Sequence, residues 1–78
     1  MFLHIGADRS VPVKDIAIIL DCEAEMPEST IKTLSTKKSV DAGIERRSAV
    51  VTPDKVYYSP IAASTLRKRL NEAISFFT

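Results

Sequence analysis

The sequence contains one cysteine, one histidine, two glycines and no tryptophan. Cys22 alone cannot form a disulfide within the chain, and His4 alone cannot supply the three or four ligands of a zinc site. Gly6 and Gly43 lie too far apart to form a glycine-rich phosphate loop. We therefore predict no metal site and no cofactor.

Long apolar runs are also absent. The longest, Ile16 to Leu20, is far below the ~20 residues that span a bilayer. Met1 to His4 lack the basic segment that begins a signal peptide. We expect a cytoplasmic protein with no membrane partner.

The length of 78 residues fits one domain, predicted over residues 1–78, because two self-supporting cores need a longer chain. With 45% hydrophobic and 27% charged residues, the composition is that of a globular protein. A core of this size seldom contributes more than ~3 to 5 kcal/mol unaided. Since no disulfide or metal is expected, self-association is the predicted additional source of stability.

The formal net charge of +1 conceals a marked asymmetry along the chain. Residues 1–28 carry two basic and six acidic side chains, a net charge of −4. Residues 29–78 carry nine basic and four acidic side chains, a net charge of +5. This asymmetry fits a basic face that meets a polyanion, a head-to-tail contact between subunits, or two solvated surfaces without a partner.

The first half of the chain predicts three strands and a helix. Met1 to Ile5 and the segment around Val11 and Val13 form two strands, separated by a turn. Ile16 to Leu20 is continuous and β-branched, which favours a central strand covered on both faces. A helix follows Pro27, with Ser29 or Thr30 as its cap and with Ile31 and Leu34 on one face, and it ends before Asp41 to Gly43.

The second half predicts a hairpin and a helix. Ser48 to Thr52 and Lys55 to Ser59 are strands joined by a turn at Pro53 and Asp54. Ser64 is the predicted cap of the last helix. The apolar positions of that helix recur at helical spacing at Leu66, Leu70, Ala73, Ile74 and Phe77. The order β-β-β-α-β-β-α favours a small α+β domain with a mostly antiparallel sheet.

Catalytic groups are poorly represented, and we predict no enzyme, no catalytic residue and no small-molecule substrate. Any nucleophile would need His4 as its base, but His4 lies in the first predicted strand, where an ordinary hydrogen bond explains it better. Cys22 stands between Asp21 and Glu23, whose charges disfavour its thiolate.

Four carboxylates lie within eight residues, at Asp21, Glu23, Glu25 and Glu28. Oxygen ligands of this kind can bind magnesium or calcium. The segment lacks the turn glycine and the final glutamate of an EF-hand loop, so a solvated acidic loop is the preferred interpretation.

Two basic clusters remain. Arg46 and Arg47 precede the Ala49–Val51 strand, at the mouth of a loop, where guanidinium groups could reach phosphate oxygens or guanine edges. A solvated pair is an equally good interpretation. Arg67, Lys68 and Arg69 span one helical turn, for which a solvated face is the better interpretation. Tyr57 and Tyr58 face opposite sides of a strand, and core packing accounts for one of them.

Several segments together resemble a known family. They are Phe2 to Gly6, Val13 to Asp21, and Ala49 to Pro60 continuing through Thr65 to Arg69. In order and spacing they are similar to the RemA/RemB family of bacterial extracellular matrix regulatory proteins, over almost the whole chain. The resemblance implies a DNA-binding regulator of biofilm matrix genes that assembles into a ring, with a subunit fold like the LytTR DNA-binding domain.

The resemblance also implies a site. In the family an arginine pair before the Ala-Val-Val strand is implicated in DNA contact, and Arg46 and Arg47 occupy that stretch. A further family arginine corresponds to the region of Lys14 and Asp15 here. With the basic residues of the last helix, the predicted DNA-binding set is Arg46, Arg47, Lys14, Arg67 and Lys68.

Two hypotheses follow. In the first, the protein is a non-enzymatic transcriptional regulator whose partners are double-stranded DNA and further copies of itself in a ring-shaped homo-oligomer. In the second, it is a homo-oligomeric scaffold or protein-interaction module without DNA contact. Arginines 46 and 47 facing outward and unpaired would favour the first, and arginines buried against a neighbour's Asp21, Glu23 or Glu25 would favour the second.

Overall fold

The computed structural model of the protein describes residues 1–76. Its strands are β1 (Phe2–Gly6), β2 (Arg9–Pro12), β3 (Ile18–Asp21), β4 (Lys38–Asp41), β5 (Ser48–Val51) and β6 (Lys55–Ser59). Its helices are α1 (Glu28–Ser35) and α2 (Ala63–Phe76), and a 3-10 turn covers Val13–Asp15.

The strands form two sheets. β1 and β2 pair as an antiparallel hairpin, and the other four strands form a sheet in the order β3-β5-β6-β4. In that sheet β5 is antiparallel to both of its neighbours, while β4 is parallel to β6. The predicted α+β class with a mostly antiparallel sheet is confirmed.

The predicted hairpin between β5 and β6 is present. Thr52 closes its turn: the Thr52 hydroxyl oxygen accepts from the Lys55 amide at 3.1 Å, and the Thr52 amide donates to the Lys55 carbonyl at 2.9 Å. Pro53 and Asp54 form the exposed tip, as their turn preferences predict. All four residues of β5 are buried, so β5 is the centre of the fold.

The prediction of a central strand at Ile16 to Leu20 is wrong. The strand begins at Ile18 and lies at the edge of the sheet beside β5, and Ile18 is 51% exposed. Ile19 is buried in the core, whereas Leu20 packs on the opposite face. A continuous apolar run indicates that both faces of a strand are covered, but it carries no information about how many neighbours that strand has.

The predicted element order omitted one strand. After α1 ends at Ser35, residues Lys38–Asp41 form β4, with Val40 opposite Tyr57 of β6. This short segment has little strand character of its own. It becomes a strand because it pairs with β6, which is distant in the sequence.

Both predicted helix caps are also misplaced. α1 begins at Glu28 after Pro27, whose carbonyl accepts from the amides of Thr30 and Ile31, so neither Ser29 nor Thr30 is the cap. α2 begins at Ala63, one residue before Ser64. In each case the first turn starts earlier than the hydroxyl residue because a preceding carbonyl already accepts a helical hydrogen bond.

Two apolar cores lie on opposite faces of the four-stranded sheet. The larger joins the β1–β2 hairpin, the sheet and α2, and it contains Ile5, Val11, Val50 and Leu66. The smaller lies under α1, where Leu34 is buried and Ile31 is largely exposed. Of the predicted α2 stripe, Leu66 is buried and Leu70 is partly buried. Ile74 is exposed, and Phe77 lies outside the described residues.

Ser59 ties the hairpin to the main sheet. Its buried hydroxyl donates to the Ile5 carbonyl at 2.5 Å and accepts from the Ile61 amide at 3.0 Å. The neighbouring Pro60 packs against Gly6, whose φ of 121° favours glycine. These contacts fix the end of β6, and with it the loop that carries the arginine pair.

Candidate nucleic-acid interface

Residues 42–47 connect β4 to β5 and are called the arginine loop below. Both ends of this loop are fixed to β6: the Ala42 amide donates to the Tyr58 carbonyl, and the Arg47 amide donates to the Ser59 carbonyl, each at 2.8 Å. Ala42 is buried. The loop therefore projects from a rigid base at the end of the sheet.

Gly43 lets the loop pass close to Pro60. A Cβ atom on Gly43 would lie 3.0 Å from Cγ of that proline, tighter than most real contacts, so the proline ring would have to shift to accept it. The glycine thus permits the base of the loop to lie close to Pro60, directly after β6, and Ile44 and Glu45 extend from that base.

Arg46 is held by a carboxylate and an aromatic ring of its own chain. Its Nε donates to Asp41 Oδ1 at 2.7 Å and its Nη2 to Asp41 Oδ2 at 3.1 Å. The guanidinium carbon lies 4.0 Å from the centre of the Tyr58 ring. The hydrogen bond from Arg46 lowers the pKa of Asp41 and raises that of the guanidinium.

Arg47 joins the arginine loop to the acidic loop that follows β3. Its Nε donates to Glu23 Oε1 at 2.9 Å, and its carbonyl accepts from the Cys22 amide at 3.0 Å. The Glu23 amide in turn donates to Asp21 Oδ1 at 2.9 Å, which fixes the turn. The acidic loop therefore acts as a support for Arg47.

Both arginine side chains remain accessible, with exposed fractions of 50% for Arg46 and 44% for Arg47. A guanidinium has five N–H donors. Asp41 engages Nε and Nη2 of Arg46, and Glu23 engages Nε of Arg47, so the Nη1 groups of both are available to an anion. The arginines thus face outward, as the DNA-binding hypothesis expects, but each is paired with a carboxylate of its own chain. The arrangement therefore matches neither the outward, unpaired arginines of the first hypothesis nor the arginines buried against a neighbour of the second.

Cys22 lies beside this cluster and is partly buried. Burial is the main cause of its raised pKa, and Asp21 and Glu23 add to the shift, while Arg46 opposes it. The sequence predicted that the two carboxylates disfavour the thiolate. The larger cause, burial against the α1 side of the sheet, could be seen only in the folded structure.

The other predicted DNA-binding residues do not join the arginine pair. Lys14 lies in the 3-10 turn, whose Asp15 lines a cavity with Thr52 and Pro53 at the far end of β5. Arg67 extends from α2 to the edge strand, where its Nη2 donates to the Ile19 carbonyl at 2.8 Å. Lys68 is exposed on the outer face of α2.

The bond from Arg67 has a structural role. An edge strand offers free backbone groups to other strands, and a charged side chain across that edge is one way to blunt it. Lys14, Arg67 and Lys68 are therefore separate basic positions, and the arginine loop is the strongest candidate site.

Sequence reasoning found the arginine pair but missed the residues that hold it. Asp41, Glu23 and Tyr58 reach the arginines through the pairing of β4 with β6 and through the turn after β3. The spacing of these residues along the chain gives no signal for that arrangement.

His4 has the hydrogen bond predicted for an ordinary strand histidine, with its Nε2 2.9 Å from the Ala7 carbonyl. Among residues 1–76, no three histidine, cysteine or acidic side chains come together in a way that could hold a metal ion. Over the same residues, neither helix is long and apolar enough to cross a membrane.

Comparison with known proteins gives two matches. A family model described as "RemA-like: Extracellular matrix regulatory protein A-like" matches residues 2–70. Extracellular matrix regulatory protein B of Bacillus subtilis (strain 168) is 38% identical over 72 residues, which cover 88% of this chain and 89% of that protein.

Proposed function

The chain belongs to the RemA-like family of extracellular matrix regulatory proteins, and from that premise we propose that it is a non-enzymatic, DNA-binding regulator of biofilm matrix genes that acts in the bacterial cytoplasm as a ring-shaped homo-oligomer. The name of its Bacillus subtilis relative describes a matrix regulator, which supports a regulatory role. The DNA-binding surface in this proposal is the arginine loop.

The observation that carries the proposal is the arrangement of Arg46 and Arg47. Two consecutive arginines lie at the end of an anchored loop, each oriented by a carboxylate and each with N–H donors left for another anion. Arginine matches phosphate oxygens in a two-point geometry and is the residue that most often recognises guanine. Pre-oriented side chains lose less conformational entropy when they bind.

The ring assembly supplies the affinity in this proposal. Two cationic contacts from one subunit bind a duplex weakly at physiological salt, because affinity depends steeply on the number of phosphates neutralised. In a ring the arginine loop recurs once in every subunit, and linked contacts raise the effective concentration of each further one. Lys14, Arg67 and Lys68 would add weaker phosphate contacts only where the curvature of the ring brings them near the duplex.

A second candidate function is a homo-oligomeric scaffold without DNA contact. The observation that favours it is that Asp41 and Glu23 already pair with Arg46 and Arg47, so the cluster needs no external anion for charge balance. In that case the charge of the arginines is used within the subunit, and regulation proceeds through protein contacts.

The two functions are separated by titrating the protein against duplex DNA at several salt concentrations, with its mass measured in parallel. Under the DNA-binding proposal, Arg46→Ala/Arg47→Ala leaves the mass and thermal stability nearly unchanged, since exposed charges contribute little to folding. Its duplex affinity falls, and the salt dependence becomes shallower by about one unit per lost phosphate contact.

A matched control is Arg9→Ala/Lys32→Ala, which removes the same charge from two exposed positions outside the loop. An equal loss of affinity in the control would show that duplex binding depends only on the total charge of the protein. Absence of duplex binding by the unaltered oligomer would support the scaffold. A shift of the arginine variant towards monomer would assign the pair to subunit contacts.

A further inference from the structure

The side chain of Ile44, at the tip of the arginine loop, is as accessible to solvent as it would be without the rest of the fold. Its exposed fraction is 101%, whereas the other exposed large hydrophobic residues of positions 1–75 lie between 45% and 67%. Its side chain therefore contributes nothing to the packing of the subunit. A β-branched apolar residue in that position has no explanation within the described fold.

The loop presents this side chain from a fixed base. Ala42 and Arg47 are hydrogen-bonded to β6 at the two ends, and Gly43 packs against Pro60. Only the tip, Ile44 and Glu45, extends freely between these anchors. The position of Ile44 relative to the two guanidinium groups is thereby restricted, as a side chain that enters a groove requires.

The charges around Ile44 distinguish between possible partners. Within three residues of it lie Asp41, Glu45, Arg46 and Arg47, all exposed. The centre of a subunit interface is typically depleted of charge and collects several apolar residues. An isolated isoleucine two and three residues before a pair of arginines instead matches proteins that insert an apolar wedge into DNA while cationic side chains hold the phosphates.

We propose that Ile44 is a DNA-contacting wedge, which enters the minor groove and partly unstacks one base step while Arg46 and Arg47 bind the flanking phosphates. This inference rests on the proposed DNA-binding function and adds the groove, the mode of contact and a kinked duplex. Isoleucine is among the side chains used as wedges in architectural DNA-binding proteins.

Glu45 restricts how the loop can approach the duplex. Its carboxylate is repelled by the phosphates and by the negative potential of the minor groove, so it has to face away from the DNA. The arginines then engage the backbone, and only the Ile44 side chain enters the groove. Because pyrimidine–purine steps are the easiest to unstack, the wedge gives a preference for sites that contain TA or CA steps without hydrogen bonds to their bases.

The test compares Ile44→Ser with Ile44→Leu in the full-length oligomer. Neither substitution removes a contact within the subunit, so folding is preserved. Binding is measured on a duplex of ~30 base pairs with a fluorophore at each end, which reports affinity and bending together. We expect Ile44→Ser to bind at least tenfold more weakly and to lose the bend, because the apolar surface is no longer buried. Ile44→Leu should retain both.

Ile74→Ser serves as the control, since it removes an exposed isoleucine from α2, away from the loop. Unchanged affinity and bending in Ile44→Ser overturn the wedge and leave arginine-mediated binding intact. A lower oligomer mass in Ile44→Ser also overturns it and makes the residue a subunit contact. If the unaltered protein binds no duplex, the proposed function fails first, and that result is seen before any variant is compared.

Discussion

At the scale of single residues, the carboxylates paired with Arg46 and Arg47 have two opposing effects: they orient the guanidinium groups, and they neutralise part of their charge. Asp41 and Glu23 fix the guanidinium groups, yet each also cancels one positive charge at the surface. Asp41 binds Arg46 through two hydrogen bonds, whereas Glu23 binds Arg47 through one. The two effects can be separated at Glu23, because a carboxamide keeps the hydrogen-bond acceptor and removes the charge.

We predict that Glu23→Gln strengthens duplex binding and makes it more salt-dependent. The amide oxygen of glutamine can still accept from Arg47 Nε, so the arginine stays oriented while the net charge of each subunit rises by one. The measurement is a salt titration of duplex affinity beside the unaltered protein. Weaker binding by Glu23→Gln would show that the carboxylate itself, and not only its geometry, is needed.

The lowered pKa of Asp41 predicts how the stability of the protein changes at acid pH. The pKa of Asp41 is lower in the folded chain than in the unfolded one, because Arg46 donates to its carboxylate. The pair therefore contributes stability above the unfolded pKa, and this contribution is lost as the pH falls through the folded pKa. Denaturant unfolding of Asp41→Asn should consequently vary less with pH over the acid range, and an unchanged dependence would contradict the pairing.

Cys22 gives a second prediction at this scale. Burial raises the pKa of its thiol, so the reactive thiolate is scarcer at neutral pH than in an unfolded chain. Alkylation of the native protein by iodoacetamide should be slow near pH 7 and should accelerate only at more alkaline pH than in urea. Because the sequence has a single cysteine, the label reports this site alone. Equal rates in native and unfolded protein would contradict a protected thiol.

At the scale of elements, the least obvious link is that between the β1–β2 hairpin and the main sheet. The Ser59 hydroxyl is the hydrogen-bonding bridge between Ile5 and Ile61, and it is fully buried. We predict that Ser59→Ala lowers the free energy of unfolding by about 1–3 kcal/mol, because a buried carbonyl and a partly buried amide lose their partner.

Urea unfolding measures this change as a lower midpoint with little change in slope. Ser35→Ala is the matched control: its hydroxyl donates to the Lys32 carbonyl at an exposed position, so its effect should stay within about 0.5 kcal/mol. A Ser59→Ala variant as stable as the control would mean that water replaces the bridge.

The elements also show how far local sequence signals reach. The β5–β6 hairpin was predictable because proline and aspartate at 53 and 54 encode the turn, and α2 because its apolar residues recur at helical spacing. β4 was not predictable, since it exists through parallel pairing with a strand fourteen or more residues away. For the same reason Arg46 and Arg47 could be found in the sequence, while their partners Asp41, Glu23 and Tyr58 could not.

At the scale of the whole molecule, several apolar side chains remain exposed on the subunit. Among the side chains that the structure describes, and apart from Ile44, they are Met1, Phe2, Ile18, Ile31 and Ile74. Phe2 and Met1 line one shallow cavity with Pro12 and Val13, and Ile18 lies on the edge strand beside a second one. The two surfaces differ in shape and composition, so contact between them would be head-to-tail, the type of contact that generates rings when the rotation closes.

We predict that the free protein is an assembly larger than a dimer, and that Phe2→Ser shifts its mass downward. Phe2 is 67% exposed, so its replacement costs the isolated subunit little, within about 0.5 kcal/mol for a surface position. In an assembly the same replacement removes buried aromatic area from every interface at once. Light scattering at ~10 μM protein measures both masses, since this concentration lies well above the dissociation constant of a stable assembly. A monomeric mass for the unaltered protein would contradict the ring, and with it the summed phosphate contacts that DNA binding by this small subunit requires.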